Sequence, residues 1–136
     1  METWKAMYVI IWVSFLQIIF VLFSPFGRSV TIGIHAAIGA AVLGLAFVVY
    51  RGVRASPCPD RIKRIARVTR TLAVLQGVLG LALALGVALS WGSLYVDLVS
   101  FVHVGNALAI ITQASSSATA YDMWEEKEFL APPPAI

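Results

Sequence analysis

The sequence predicts an all-α integral membrane protein, a four-helix bundle with up-down-up-down order. Of the 136 residues, 60% are hydrophobic and 12% are charged, and the mean hydropathy is +0.86. Soluble domains are far less apolar. Four uncharged stretches approach the length of about 20 residues that crosses a hydrocarbon core of about 30 Å. The connections between them are short, which makes neighbouring helices antiparallel. The stretches are Ala6–Phe23, Val30–Tyr50, Leu72–Ser90 and Leu98–Ala120.

The elements follow from these stretches and their polar flanks. We expect one domain over residues 1–136, with helices over about 6–24, 30–50, 66–90 and 97–121, a basic cytoplasmic loop over 51–65 and a disordered tail over 129–136. The first stretch lacks a signal-peptide cleavage pattern and contains Gln17, so we expect it to be a helix of the mature protein. The single cysteine, Cys58, excludes an intrachain disulfide and is expected to be a loop thiol.

Basic residues concentrate between the second and third stretches, where only Asp60 opposes them. The positive-inside rule therefore predicts a multi-pass plasma-membrane protein with this loop and both termini in the cytoplasm. A basic run beside a membrane helix favours contact with anionic lipid headgroups in the bilayer, and no nucleic-acid partner is expected. The basic residues are Arg51, Arg54, Arg61, Lys63, Arg64, Arg67 and Arg70.

The two histidines of the chain, His35 and His103, lie inside the second and fourth uncharged stretches. An ionisable side chain in the bilayer is costly and indicates a functional site. In the predicted topology each lies roughly 8–9 Å below the outer surface, so both reach one depth. Two neutral imidazoles can fill the axial positions of a haem iron. Zinc and copper usually need three or four protein ligands, and these stretches contain no Cys, Asp or Glu.

Small and polar residues surround the histidines. Gly39 near His35 would let a flat porphyrin approach the backbone, and Asn106 lies on the same helical face as His103. Arg28, at the outer end of the second helix, could hold the haem propionates. The predicted cofactor-binding residues are thus His35, His103, Arg28, Gly39 and Asn106, with the histidines as iron ligands. Alternatively, each histidine hydrogen-bonds a neighbouring helix and binds nothing, and the small residues serve helix packing.

A short internal repeat accompanies this pattern. Leu16-Gln17 in the first helix corresponds to Leu75-Gln76 in the third, and His35 in the second corresponds to His103 in the fourth. Because the paired helices run the same way, such a repeat would be parallel, about an axis along the membrane normal.

Two segments, Thr71–Gly80 and Val102–Ala107, resemble the third and fourth helices of one half of the haem A synthase family. The resemblance covers almost the whole chain and implies a compact, half-size member of the kind found in archaea, with His35 and His103 matching the two histidines of each half. Ile32 stands where the family's catalytic half has a glutamate, and the first outer loop has no cysteine pair. The resemblance therefore implies the haem-binding scaffold and leaves the synthase reaction, and any enzyme activity, open.

From these observations we expect a membrane protein with one bis-histidine haem of the b type, acting in haem handling or electron transfer. Both axial positions are filled, which favours electron transfer over oxygen binding. A redox partner or quinone would exchange electrons with it, and a homodimer would restore the two-half arrangement of the family. The alternative from another class is a cofactor-free membrane scaffold or small transporter subunit.

Overall fold

The structure, a computed structural model, describes residues 2–130. It contains four helices: α1 (Thr3–Phe23), α2 (Arg28–Ala55), α3 (Asp60–Ala88) and α4 (Ser93–Leu130), and the described chain has no strand. All four helices are long and apolar enough to cross a membrane. The predicted class, an all-α membrane four-helix bundle, is confirmed.

The helices form a closed ring in which each packs against the next and α4 returns to α1. Within the described residues, neither diagonal pair, α1 with α3 or α2 with α4, makes close backbone contact. Short connections alternate the helix directions, which gives the up-down-up-down order. The two histidine-bearing helices therefore face each other across the diagonal.

The basic segment is mostly helical, so the predicted loop over residues 51–65 was too long. Helix α2 continues to Ala55 and α3 begins at Asp60, which leaves only residues 56–59 as the connection. Arg and Lys are good helix formers, so the basic residues prolong both helices beyond their apolar stretches. Two prolines, Pro57 and Pro59, interrupt the helix in this connection. Asp60 lies in the first turn of α3, where its negative charge interacts favourably with the positive end of the helix dipole.

Helix α4 also extends past its predicted bounds of 97–121. It starts at Ser93, directly after a turn in which Gly92 has a φ of 92°, and it runs to Leu130. The acidic segment after Tyr121 is therefore helical, and the Tyr8 hydroxyl donates a 2.7 Å hydrogen bond to Asp122 that ties it to α1. Residues 129 and 130 of the predicted disordered tail belong to the helix, whereas residues 131–136 lie outside the described residues.

The buried apolar core occupies one half of the bundle. We call the end with the 56–59 connection the basic end, and the end with the α1–α2 and α3–α4 connections the open end. Every buried apolar side chain of the described residues lies on the basic-end side of the two histidines. These side chains are Ala6, Met7, Ile10, Val42, Ala46, Val49, Val53, Cys58, Ile62, Ala66, Ala73, Ile110, Ala114, Ala118 and Tyr121.

Cys58 belongs to this core although it lies in the connection. Its side chain is only 2% exposed, and the Sγ atom lies 3.5 Å from the carbonyl oxygen of Val53, to which the thiol donates. The prediction of a thiol in the connection is confirmed, but the side chain helps to close the basic end.

Candidate functional site

The two histidine rings meet where the packed half of the bundle ends. The ring centroids of His35 and His103 lie 6.0 Å apart, and the ring planes are inclined by 55°. Both rings are half-buried. Since α2 and α4 are diagonal, the rings bridge the interior of the bundle, and they lie at one level as their depths in the sequence predict.

Gln17 of α1 holds His35. Its Nε2 atom donates to Nδ1 of the ring at 3.0 Å and to the backbone oxygen of His35 at 2.8 Å. Because an amide nitrogen only donates, Nδ1 is an acceptor and the ring proton lies on Nε2. A Cβ atom at Gly39 would lie 3.5 Å from this amide nitrogen. Gly39, predicted to line a cofactor, therefore lies against Gln17 on the α1 side.

Gln76 of α3 holds His103 in a similar way, within a longer network. Asn106 donates from Nδ2 to the backbone oxygen of Leu72 at 2.9 Å and to Oε1 of Gln76 at 2.7 Å. These bonds fix the Gln76 amide, whose Nε2 atom donates to Nε2 of His103 at 3.0 Å. The ring proton of His103 then lies on Nδ1, which is buried and has no hydrogen-bond partner. A buried donor without a partner costs about 1–3 kcal/mol.

The same contact thus occurs twice. A glutamine on an odd-numbered helix donates to a histidine on the following helix, through Gln17 and His35 and again through Gln76 and His103. The residues that correspond in the sequence repeat therefore make corresponding contacts. Gln17 and Gln76 were noticed in the sequence as repeat residues, but their role as histidine partners was missed. The available signal was their polarity, because an amide inside an apolar helix needs a hydrogen-bond partner.

Small residues let α3 approach α4 closely beside the histidine pair. A Cβ atom at Gly80 would lie 3.4 Å from Cε1 of His103. The ring of Tyr95 packs directly on Gly86, and its hydroxyl donates to the backbone oxygen of Ala82 at 3.2 Å. Helix α3 therefore packs directly against α4 on this side of the histidine pair.

A cavity of about 340 Å³ lies at the open end, between the first turns of α2 and α4 and the last turns of α3. Arg28 and Asp97 are among its lining residues. Arg28 precedes His35 by about 10 Å along α2, and Asp97 precedes His103 by about 9 Å along α4. The structure thus places Arg28 at the mouth of the open end. Ile32 lies on α2 between Arg28 and His35, and its side chain is 51% exposed. The haem A synthase family has a glutamate at this position.

The spacing of the two histidine rings matches that of two imidazoles on one metal ion. With metal–nitrogen bonds of about 2 Å, two axial imidazoles have centroids about 6 Å apart, and 6.0 Å is observed. Among the described residues, no group of three or more His, Cys, Asp or Glu side chains converges. A haem needs only two protein ligands. Iron needs the one free lone pair of each neutral ring, so each ring must either leave its glutamine or move its proton to the nitrogen that the glutamine contacts, with the amide turned to accept it.

Comparisons with protein-family models, with characterised proteins and with solved structures find no match. The functional assignment therefore depends on the histidine pair, its glutamine partners and the shape of the bundle around them.

Proposed function

We propose that this protein is a membrane haem protein in which His35 and His103 bind one b-type haem iron axially between α2 and α4. The observation that carries the proposal is the 6.0 Å spacing of the two rings across the diagonal. Their position supports it, because the packed apolar core ends at the histidines and leaves the open-end half to accommodate a large flat group.

Several residues of the chain would each hold a different part of the haem. His35 and His103 supply the axial nitrogens, and Arg28 at the open-end cavity supplies positive charge for the propionate carboxylates. Gly80 leaves the His103 ring free of side-chain crowding from α3. Gln17 and Gln76 orient the rings, and Asn106 orients Gln76. A bound haem supplies reversible one-electron chemistry, while the apolar helices keep water from the rings.

The proposal extends to the setting of this chemistry. The chain resembles one half of haem A synthase, and we propose that it acts in haem handling or electron transfer with a membrane redox partner or quinone. It would do so in the plasma membrane with both termini in the cytoplasm, since the basic residues gather at the basic end. Two copies would restore the two-half arrangement as a homodimer. The isoleucine at position 32 argues against an independent oxidation of the haem methyl group.

The test is a haem titration of the detergent-purified apoprotein, followed by spectra of the oxidised and reduced forms. We expect a low-spin, six-coordinate spectrum at one haem per chain. His35→Ala and His103→Ala should each lose it. Thr112→Ala is the matched control, because Thr112 is an exposed polar residue of α4 whose hydroxyl donates to its own helix at Leu108. A wild-type spectrum in either histidine variant would contradict the proposed ligand pair.

A cofactor-free scaffold is the second candidate, and a specific observation favours it. Each histidine already has a hydrogen bond from a neighbouring helix, through Gln17 or Gln76. In that case the rings serve to lock α1 to α2 and α3 to α4, and added haem gives no low-spin spectrum. Gln76→Leu and His103→Ala would then each lower the unfolding temperature, since either change removes the bond between Gln76 and His103. Under the haem proposal, only the histidine variant loses the spectrum.

A further inference from the structure

A second cluster of functional groups lies at the basic end, on the face where α2 meets α3. Arg70 of α3 stacks on two aromatic side chains of α2, with its guanidinium carbon 4.2 Å from the ring centroid of Tyr50 and 5.7 Å from that of Phe47. Arg54 donates from Nη1 to the Tyr50 hydroxyl at 3.2 Å. Two guanidinium groups therefore contact one tyrosine.

None of the side chains that the structure describes pairs with these charges. Among the described residues, the ion pairs are Lys5 with Glu2 and Lys63 with Asp60. No carboxylate of the described chain pairs with Arg54 or Arg70. Like charges this close repel one another, so the cluster is complementary to an anion from outside the chain. A planar guanidinium held on an aromatic platform presents its N–H groups in the fork that matches phosphate oxygens.

The depth of the cluster identifies the source of the phosphate. Helix α2 has 28 residues, a length of about 42 Å, which exceeds the hydrocarbon core of about 30 Å and leaves several Å in each headgroup layer. Tyr50 lies about 7–8 Å from the α2 end at Ala55, and Arg70 about 15 Å into α3. Arg70 reaches the cluster by extending its long side chain toward the basic end. Tyr50 therefore lies near the edge of the hydrocarbon core, and the side chains of Arg54 and Arg70 reach from there into the headgroup layer of one leaflet.

We propose that Arg54 and Arg70, with Tyr50 as platform, form a binding site for the headgroup phosphate of one anionic phospholipid. This site differs from a diffuse attraction of basic residues to the membrane, because the Arg70 guanidinium is oriented by its aromatic contacts. It lies at the opposite end of the bundle from the open-end cavity and is independent of haem binding. Basic pockets between membrane helices are a known form of lipid headgroup site.

The test separates guanidinium geometry from charge. The full-length protein is titrated with phosphatidylglycerol in detergent and bound lipid is counted by native mass spectrometry, with phosphatidylcholine and inorganic phosphate as parallel arms. Arg70→Lys keeps the charge and loses the planar fork. Arg64→Lys is the matched control, since Arg64 is an exposed residue of the same helix that makes no contact with Tyr50.

We expect one tightly held phosphatidylglycerol per chain, unaltered in Arg64→Lys and bound about tenfold more weakly in Arg70→Lys, the effect of losing one charge-assisted hydrogen bond. Phosphatidylcholine should bind more weakly than phosphatidylglycerol, and inorganic phosphate should not raise the unfolding temperature. Equal affinities for the two variants would leave only diffuse electrostatics and overturn the proposal. Stabilisation by inorganic phosphate equal to that by lipid would identify a free anion as the occupant and overturn the lipid assignment.

Discussion

Gly80 gives the most direct way to disturb the histidine pair without removing a ligand. The Cβ atom of a substituted residue would lie 3.4 Å from Cε1 of His103, and the two γ carbons of a valine would extend toward the ring. We expect Gly80→Val to turn the ring away from Gln76 and out of line with His35. Gly77→Val is the matched control, because a Cβ atom at Gly77 meets nothing within 4 Å and the helix-propensity change is the same.

The expected loss follows from overpacking, which costs about 1–3 kcal/mol. This weakens haem binding roughly 5- to 140-fold, at 1.4 kcal/mol for each factor of ten. The assay is a haem titration of the apoprotein followed at the Soret band. If the dissociation constants of Gly80→Val and Gly77→Val differ by less than a factor of about three, the placement of the haem beside His103 is refuted. A threefold difference corresponds to only about 0.7 kcal/mol, half of the 1.4 kcal/mol for a factor of ten.

Three further predictions concern topology, assembly and chemistry. Reporter fusions after residue 136 and at Cys58 should give the same cytoplasmic signal, and a fusion at Gly92 should give the opposite one. A fusion at Gly92 that agrees with the others would contradict the alternating membrane crossings, and with them the shared depth of the two histidines. The detergent-corrected mass should be that of two chains, and a mass of one chain would exclude the homodimer. Expression in a host that makes haem O but lacks its own synthase should yield haem B or O and no substantial haem A, because Ile32 replaces the glutamate of the haem A synthase family. Substantial haem A in the extract would show that another group performs the oxidation.

The fold could be predicted because a membrane sets a simple length requirement. Each apolar stretch needs about 20 residues, and hydropathy alone reveals this. The helix ends could not be predicted in the same way. The arginines between residues 51 and 70 mark the membrane surface, but they also favour helix, so α2 and α3 extend into the headgroup layers and turn only at the two prolines.

The candidate site was predictable in part. His35 and His103 are conspicuous as ionisable residues in apolar helices, and the alternation of helices predicts a shared depth. The diagonal separation of α2 and α4 could not be deduced from the sequence. Small residues beside the histidines are compatible with close helix packing as well as with a bound cofactor. Gly39 illustrates this ambiguity, since it lies against the Gln17 amide. Asn106, expected near a cofactor, is 8% exposed. It donates both hydrogens of its side-chain amide to α3, to the backbone oxygen of Leu72 and to Oε1 of Gln76.

The two halves of the site differ in how readily each ring can be released. Gln17 contacts His35 through the same nitrogen that binds the backbone oxygen of that residue, so it can leave the ring and keep its 2.8 Å bond to the carbonyl. Gln76 is held by Asn106, which is itself bound to the α3 backbone, so its nitrogen stays directed at His103. Turning His35 breaks about one net hydrogen bond, worth about 1 kcal/mol, whereas turning His103 opposes a connected network. Turning the ring should therefore cost less at His35 than at His103.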